Sequence, residues 1–239
     1  MPTRVPSISI IIPCLNDAVA LERCLAGLTD AAAGGYFDLE VIVADASSGD
    51  ACIVVAQAAG ARVVCCETRG RGQQLNAGAA AAEGGILLFN HADTDLSADH
   101  LLGVATAMGA GGVVGGAFYR DLAWQYPALA GMERWVRAYT RRWGILYGDQ
   151  SLFVSRETFD AMGGFASIPI MEDVDFSARL RKWGTVVLVD PPLRTSMRRF
   201  KKRGYLRNKL QNIGLVWLWR FRLLTPEQIY RWYYRRSAK

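Results

Sequence analysis

Residues 7–16 read SISIIIPCLN, a β-branched apolar run followed by a proline and then by small or polar positions. The run predicts a buried strand over 7–12 that Pro13 closes. Three similar short apolar runs follow at 40–44, 61–65 and 85–90. Short continuous apolar runs of this kind are typical of parallel strands that are covered on both faces.

Helical spacing separates these runs, at 18–28, 50–59, 72–82 and 99–108. Regular alternation of strand and helix predicts an α/β fold with a Rossmann-like, mostly parallel central sheet and helices on both faces. The second half is less regular. It shows strands near 113–119 and 151–155, a helix near 128–143, and then further helices. We expect one domain over 1–239, made of a first half (1–110), a second half (111–193) and a basic helical tail (194–239).

The composition suits an enzyme with a real core, because 51% of the 239 residues are hydrophobic and 21% are charged. Five cysteines without a Cys-x-x-Cys pair, together with only two histidines, give poor support for a zinc site. Buried, reduced thiols in a cytoplasmic protein are the expectation. The longest apolar stretch of the tail, 213–219, is too short to span a membrane.

Charge is distributed unevenly along the chain. Residues 1–100 contain 5 basic and 12 acidic residues, whereas residues 194–239 contain 14 basic residues and a single acid, Glu227. The acidic first half argues against a nucleic-acid-binding body. The basic tail predicts an anionic partner, which could be a phosphate group, an anionic membrane surface at the inner face of the cell membrane, or nucleic acid. Of these we expect phosphate or membrane, and no nucleic acid.

Polar and small side chains follow each predicted strand of the first half. In α/β sheets the ligand binds beyond the carboxyl ends of the strands, where these side chains should converge. They are Pro13, Asn16, Asp45, Arg71 and the pair Asp93 and Asp95.

Asp93-Thr94-Asp95, a DXD motif, places two carboxylates two residues apart in a loop. Both can face one hard cation, which also takes water and phosphate oxygens as ligands. The alternative is that Asp95 or Asp99 merely caps the following helix.

Asp45 and Arg71 each have a functional and a structural interpretation. Asp45 could accept hydrogen bonds from a nucleobase or ribose, or it could share a capping role with Ser47, Ser48 or Asp50. Arg71, at a strand-to-helix junction, suits a phosphate, and the alternative is a solvated arginine on a turn.

A second acidic cluster, Glu172-Asp173-Val174-Asp175, precedes a helical pattern. A carboxylate here could act as general base for an acceptor hydroxyl, or it could complement the helix dipole. Gly163-Gly164-Phe165 reads as a helix stop, either a flexible wall over a site or a plain turn. In the tail, Arg198 or Arg199 could clamp a diphosphate, while Trp217 and Trp219 either pack on the body or meet a membrane.

Four motifs in this order resemble the family 2 glycosyltransferases of the GT-A fold. They are SIIIPCLN at 9–16, IVAD at 42–45, NHADTD at 90–95 and GGF at 163–165 with Glu172-Asp173. The stretch 69–78, Tyr147-Gly-Asp-Gln150 and the Arg-Arg-Phe of the tail resemble a narrower subgroup. Its members are small transferases named for association with radical-SAM proteins and arsenosugar biosynthesis.

The resemblance implies that 1–110 are a nucleotide-sugar-binding half and 111–193 an acceptor half. It also implies a role for each matching residue. Asp45 would contact the base of a nucleoside-diphosphate sugar, Asp93 the ribose or the metal, and Asp95 an Mn²⁺ or Mg²⁺ ion. Asp173 would be the catalytic base for an acceptor hydroxyl, with Glu172 beside it, in an inverting transfer. Ala46 stands where many relatives carry a second acid, which weakens any base contact beyond Asp45.

Three other activities remain open on these residues. They are a polyprenyl-phosphate glycosyltransferase at a membrane surface, a nucleotide-sugar-binding protein without catalysis, and a nucleotidyltransferase.

Overall fold

The computed structural model describes residues 7–32, 34–121, 130–193 and 205–235. Seven strands form one sheet: β1 (Ser7–Cys14), β2 (Asp38–Asp45), β3 (Arg62–Cys65), β4 (Ile86–Phe89), β5 (Val113–Arg120), β6 (Leu152–Ser155) and β7 (Thr185–Leu193). The α-helices are α1 (Ala18–Ala32), α2 (Ala51–Ala58), α3 (Arg71–Ala81), α4 (Ala98–Met108), α5 (Ala130–Trp143), α6 (Arg156–Met162), α7 (Glu172–Leu180), α8 (Tyr205–Arg220) and α9 (Pro226–Arg235). A 3₁₀ turn, Gly148–Gln150, precedes β6.

The sheet has the order β3-β2-β1-β4-β6-β5-β7 and is mostly parallel, as predicted. Only β6 runs antiparallel to its neighbours β4 and β5. The strands of both halves of the chain therefore share one sheet. The division at residues 110 and 193 stays a prediction.

Two predictions about the strands were wrong. Pro13 does not close β1, which continues to Cys14 opposite Asp45. The backbone of Ile11 faces β4, since its carbonyl accepts the N–H of Asn90. Backbone groups two residues apart in a strand face the same side, so those of Pro13 also face β4, which has already ended at Phe89. The missing N–H of Pro13 therefore breaks no ladder bond.

The sequence interpretation also missed β7 and predicted only helices after residue 155. The apolar run of β7 is followed by Pro191 and Pro192, which argue against a central strand. However, β7 lies at the edge of the sheet, next to β5 alone. Prolines are tolerated there because the outer side of the strand needs no ladder partner.

Helices cover both faces of the sheet, which confirms the prediction. On one face α1, α2 and α4 bury a core around Ile10, Leu28 and Phe118. On the other face α3, α6 and α7 bury Ile11, Phe89 and Phe176. Successive side chains of β1 point to opposite faces of the sheet, and its β-branched residues enter both cores. Both faces of β1 are therefore apolar, which explains its uninterrupted apolar sequence.

The two C-terminal helices pack on the body of the protein. Leu215 and Val216 of α8 and Ile229 of α9 join Met171 and Val174 in a third core. Trp217 meets Trp143 edge to face at 5.1 Å, and Trp219 is partly buried in the third core. The packing interpretation of both tryptophans is therefore confirmed. Among the described residues, no helix is both long and apolar enough to cross a membrane.

Candidate active site

One edge of the sheet gathers the predicted site residues. The carboxyl ends of β1, β2 and β4 lie there, and so does the amino end of the antiparallel β6. The turn Gly148–Gln150 precedes β6 and therefore reaches the same edge. An antiparallel strand thus brings a loop of the second half beside the strand ends of the first.

Asp45 ends β2 and is only 4% exposed. Its Oδ1 accepts hydrogen bonds from the backbone N–H and the hydroxyl of Ser47. Asn16, in the left-handed region at φ 53°, ties the loop after β1 to this one. Its N–H donates to Ser47 Oγ (2.8 Å), and its Oδ1 accepts from the N–H of Ser48 (3.1 Å). Asp50 holds the N-cap position of α2 without a side-chain capping bond.

Helix α3 is fixed to both strand ends by a buried side chain. Gln74 Nε2 donates to the carbonyl oxygens of Cys14 and Ala44, each at 2.8 Å. Pro13 lies opposite Ala44 inside the ladder and not in a loop. Its contact with a ligand stays a prediction.

Asp93 and Asp95 do not cap the helix that follows them. Ser97 holds the N-cap position of α4, and the His100 side chain accepts from its backbone N–H at 3.1 Å. The structural alternative for Asp95 and Asp99 is therefore wrong. Asp95 makes an ion pair with Arg23 at 3.6 Å in which both side chains are more than half exposed, so it is weak and easily exchanged.

A buried turn points the two carboxylates outward. Thr94, between them, is 1% exposed, whereas Asp93 and Asp95 are exposed. The turn is held by the Asn90 side chain, whose Nδ2 donates to the carbonyl of Thr94 at 2.9 Å and whose Oδ1 accepts from Ser151. Two exposed carboxylates with room for water and phosphate fit Mn²⁺ or Mg²⁺, which favour oxygen ligands and keep part of their hydration.

Arg71 is the first residue of α3 and links the two halves of the edge. Its guanidinium hydrogen-bonds His91 Nε2, two residues before Asp93. Its Nε lies 3.6 Å from Oε1 of the buried Glu172. The solvated-arginine alternative suits Arg69, which is exposed, but not Arg71, whose side chain is 33% exposed.

Glu172 and Asp173 begin α7 in different surroundings. Burial, reinforced by the charge of Asp173 and opposed by Arg71, raises the pKa of Glu172 above its usual value. Asp173 is half-buried, and its two oxygens accept the backbone N–H groups of Gly148 (2.6 Å) and Val174 (2.8 Å). The buried surroundings therefore disfavour negative charge on Glu172.

The third carboxylate of the cluster, Asp175, has a structural role. It pairs with Arg179 one helical turn later, at 2.7 Å. Arg179 in turn donates to the carbonyls of Met162 and Gly164. This network fixes the start of α7 against the end of α6.

Gly163 and Gly164 end α6, as predicted, with φ angles of 74° and 71°. The segment after them is tied down, because the Asn76 side chain bonds both the N–H and the carbonyl of Phe165. These bonds favour a plain turn over a flexible wall.

Three of the five thiols are buried, namely Cys14, Cys24 and Cys52. Burial, with a smaller effect from the neighbouring Cys52, raises the pKa of Cys14 to about 12. Burial, with a smaller effect from the charge of Asp95, raises the pKa of Cys24 to about 12. Both thiols are therefore protonated at neutral pH in the metal-free protein.

Sequence reasoning missed three contributors to this edge. They are His91, which hydrogen-bonds Arg71; Gln74, which donates to the carbonyl groups of two strand ends; and the Gly148 N–H, which donates to Asp173. The signal for Gly148 was present in Tyr147-Gly-Asp-Gln150, which carried a resemblance but no assigned role. Arg198, Arg199 and Phe200 lie outside the described residues, so the diphosphate clamp stays a prediction.

The model of the family described as "Glycosyl transferase family 2" matches residues 9–168. That match covers about two thirds of the chain and ends just before Glu172 and Asp173. No curated protein matches the chain.

Two glycosyltransferases are among the solved structures with the same fold. One is a mannosyltransferase from Pyrobaculum calidifontis in complex with GDP-Man and Mn²⁺. It is 22% identical at a TM-score of 0.66, over 85% of this chain and 60% of that one. This chain therefore spans only three fifths of that protein's length.

Another solved structure is the glucosyl-3-phosphoglycerate synthase from Mycobacterium tuberculosis with Mn²⁺, UDP and glucosyl-3-phosphoglycerate. It is 20% identical at a TM-score of 0.59, over 90% of this chain and 80% of that one. The same synthase was also solved with Mg²⁺ and UDP, at 20% identity and a TM-score of 0.59, over 90% of this chain and 79% of that one.

Proposed function

This chain belongs to glycosyl transferase family 2, and from that premise we propose that it moves a sugar from a nucleoside-diphosphate sugar to an acceptor hydroxyl. The observation that carries the proposal is the edge where Asp45, Arg71 and Asp173 meet the exposed pair Asp93 and Asp95. The structural relatives support it, since they were solved with GDP-Man or UDP and a divalent cation.

On the donor side, Asp45 accepts hydrogen bonds from the nucleobase. Asn16 bonds Ser47 and Ser48 and so holds the loop that follows Asp45. Asp95, with Asp93 beside it or on the ribose, holds Mn²⁺ or Mg²⁺. When bound, such an ion withdraws charge from the departing diphosphate. The guanidinium of Arg71 adds a second positive charge near the phosphates. Arg71 also lies at the amino end of α3, where the helix N–H groups favour phosphate.

On the acceptor side, Asp173 takes the proton of the attacking hydroxyl. The Gly148 N–H holds one of its oxygens in place, and each oxygen keeps a lone pair for the substrate. Glu172 is buried against Arg71 and acts beside Asp173 rather than as the base. One base suffices for a single displacement that inverts the anomeric centre.

The direct experiment is a panel of nucleotide sugars with Mn²⁺ or Mg²⁺ that measures release of nucleoside diphosphate. Asp95→Asn should abolish metal-dependent turnover, and Asp173→Asn should lower kcat about 10²–10⁴-fold while donor binding persists. Full activity of Asp95→Asn, or of wild type in chelator, would refute the metal assignment. A non-catalytic binding protein would bind donor without any release. A nucleotidyltransferase would release no nucleoside diphosphate here, and would release pyrophosphate when given a nucleoside triphosphate and a sugar phosphate.

The C-terminal helices favour a second candidate, transfer to a polyprenyl phosphate at a membrane surface. Phe221 and Leu223 are each 66% exposed and flank Arg222, beside Arg220. Apolar side chains among arginines suit an anionic lipid surface. Flotation with phosphatidylserine vesicles should recover wild type but not Phe221→Ser/Leu223→Ser. Equal recovery of both proteins, or of neither, would count against this candidate.

A further inference from the structure

Cys14, Asp45 and Cys52 meet behind the donor edge. Cys14 and Asp45 end neighbouring strands and are paired in register, while Cys52 is the second residue of α2. Their Sγ and carboxylate oxygen atoms all lie within 4.8 Å of one another. The three residues are 2%, 4% and 1% exposed. Three atoms that can bind a metal ion therefore face one small buried volume.

No counterion of Asp45 lies among the residues that the structure describes. Within the described ranges Asp45 forms no ion pair, and its Oδ1 meets only the neutral donors of Ser47. A buried carboxylate is costly unless a positive charge or further hydrogen bonds offset it. A divalent cation between Asp45 and the two sulfurs would supply that charge.

The ligand set selects the kind of cation. Sulfur ligands favour Zn²⁺ over the hard ions Mg²⁺ and Mn²⁺, which prefer oxygen. With Zn–S bonds of ~2.3 Å and Zn–O bonds of ~2.0 Å, the ligand atoms of a tetrahedral site lie about 3.5–3.8 Å from one another. The three ligand atoms lie within 4.8 Å of one another, so a small movement of their side chains would bring them to these distances. Ser47 Oγ, 3.4 Å from Cys52 Sγ, or a water molecule can complete the set.

We propose that Cys14, Asp45 and Cys52 form a Zn²⁺ site that is separate from the pair Asp93 and Asp95. On binding, each thiol releases its proton to solvent and coordinates as thiolate, while Asp45 coordinates as it stands. The absence of a Cys-x-x-Cys spacing does not argue against the site, because strand register brings the ligands together. A consequence that rests on the proposed function is that Zn²⁺ and the nucleobase compete for Asp45.

The test is a titration of reduced, metal-free, full-length protein with Zn²⁺ against a chromophoric chelator. We expect one Zn²⁺ per chain and at least a tenfold loss of affinity in Cys14→Ser and in Cys52→Ser. Cys65→Ser, at an exposed position, and Cys24→Ser, at a buried position outside the cluster, should bind as wild type does. Binding that is undetectable, or unchanged in Cys52→Ser, would overturn the site.

Co²⁺ gives a readout that a merely structural role of the cysteines would not produce. Thiolate ligation produces a sulfur-to-metal charge-transfer band, which carboxylate ligation does not. The band should appear in wild type and in Cys65→Ser, and it should disappear in Cys14→Ser/Cys52→Ser. Circular dichroism of the metal-free proteins confirms that the double variant is folded. A band that persists in the folded double variant would refute the assignment.

The competition is measured separately with the nucleotide sugar that the panel identifies. Zn²⁺ should weaken donor binding in wild type and have at least tenfold less effect in Cys52→Ser. Inhibition that Cys52→Ser retains would place Zn²⁺ at the donor cation instead and refute the competition. The Zn²⁺ titration requires no donor, so failure of the proposed function and failure of this site are distinguishable.

Discussion

Replacing Gly148 by alanine should displace Arg71 without disturbing the base. An added Cβ would overlap the guanidinium, with Cζ at 2.6 Å and Nη1 at 3.0 Å, where ordinary contact begins near 3.4 Å. The obstacle is the end of a flexible side chain, so Arg71 should swing away rather than the fold yield. The Gly148 N–H that holds Asp173 is a backbone group and is retained.

The magnitude follows from what Arg71 leaves behind. Its hydrogen bond to His91 and its position 3.6 Å from Glu172 are lost together, and so is the charge-assisted contact proposed for the diphosphate. A hydrogen bond to a charged group contributes about 1.5–3 kcal/mol. Arg71 is one-third exposed and therefore partly screened. We expect the lower half of that range, a fall in kcat/KM of about tenfold to fortyfold.

The assay is initial-rate kinetics with the identified donor in a double-mutant cycle. Arg71→Gln should lose about as much activity as Gly148→Ala, and the double variant should lose little more than either. Gly111→Ala, where an added Cβ meets nothing within 4 Å, is the matched control and should match wild type. Additive losses in the double variant would show that Gly148→Ala does not act through Arg71, and would refute the reasoning.

Three further predictions concern charge, thiols and packing. Because burial raises the folded-state pKa of Glu172 above its ordinary 4.5, the folded state binds more protons. Wild type should therefore lose stability relative to Glu172→Gln as pH rises from about 4.5 through the raised pKa, measured by urea unfolding at several pH values. Iodoacetamide should label the exposed Cys65 in the native protein, and it should label Cys24 only after unfolding, as read by mass spectrometry. Gly116→Ala, whose Cβ would meet the backbone of β7, should lower the free energy of unfolding by about 2 kcal/mol or more, against less than about 0.5 kcal/mol for Gly111→Ala.

The first half of the fold was predictable because each strand there is a short apolar run followed by polar residues. Local pattern is sufficient when strand and helix alternate regularly, and the element bounds agree within about two residues, apart from the longer α1. β7 was not predictable in the same way, because Pro191 and Pro192 argue against a strand unless its edge position is known. Edge position is a property of the whole sheet and leaves no mark on the local sequence.

Site residues were predictable where topology alone brings them together. Asp45 ends β2, and the pair Asp93 and Asp95 follows β4. These two parallel strands flank β1, so the rule for strand ends places both at one edge. The contacts of Arg71 with His91 and Glu172 depend on side-chain direction and on where α7 begins. The Zn²⁺ ligands required the register between Cys14 and Asp45, which a count of cysteines cannot supply.

Arg71 connects the two sides of the reaction that the sequence treats separately. It touches His91 beside the DXD turn and approaches Glu172 beside the proposed base. Of the charges acting on Glu172, Arg71 is the one that lowers its pKa, while burial and Asp173 raise it. A diphosphate that draws the guanidinium toward the donor therefore leaves Glu172 with a higher pKa and favours its neutral form. Donor binding would then change the charge beside Asp173 through one side chain, without movement of the backbone.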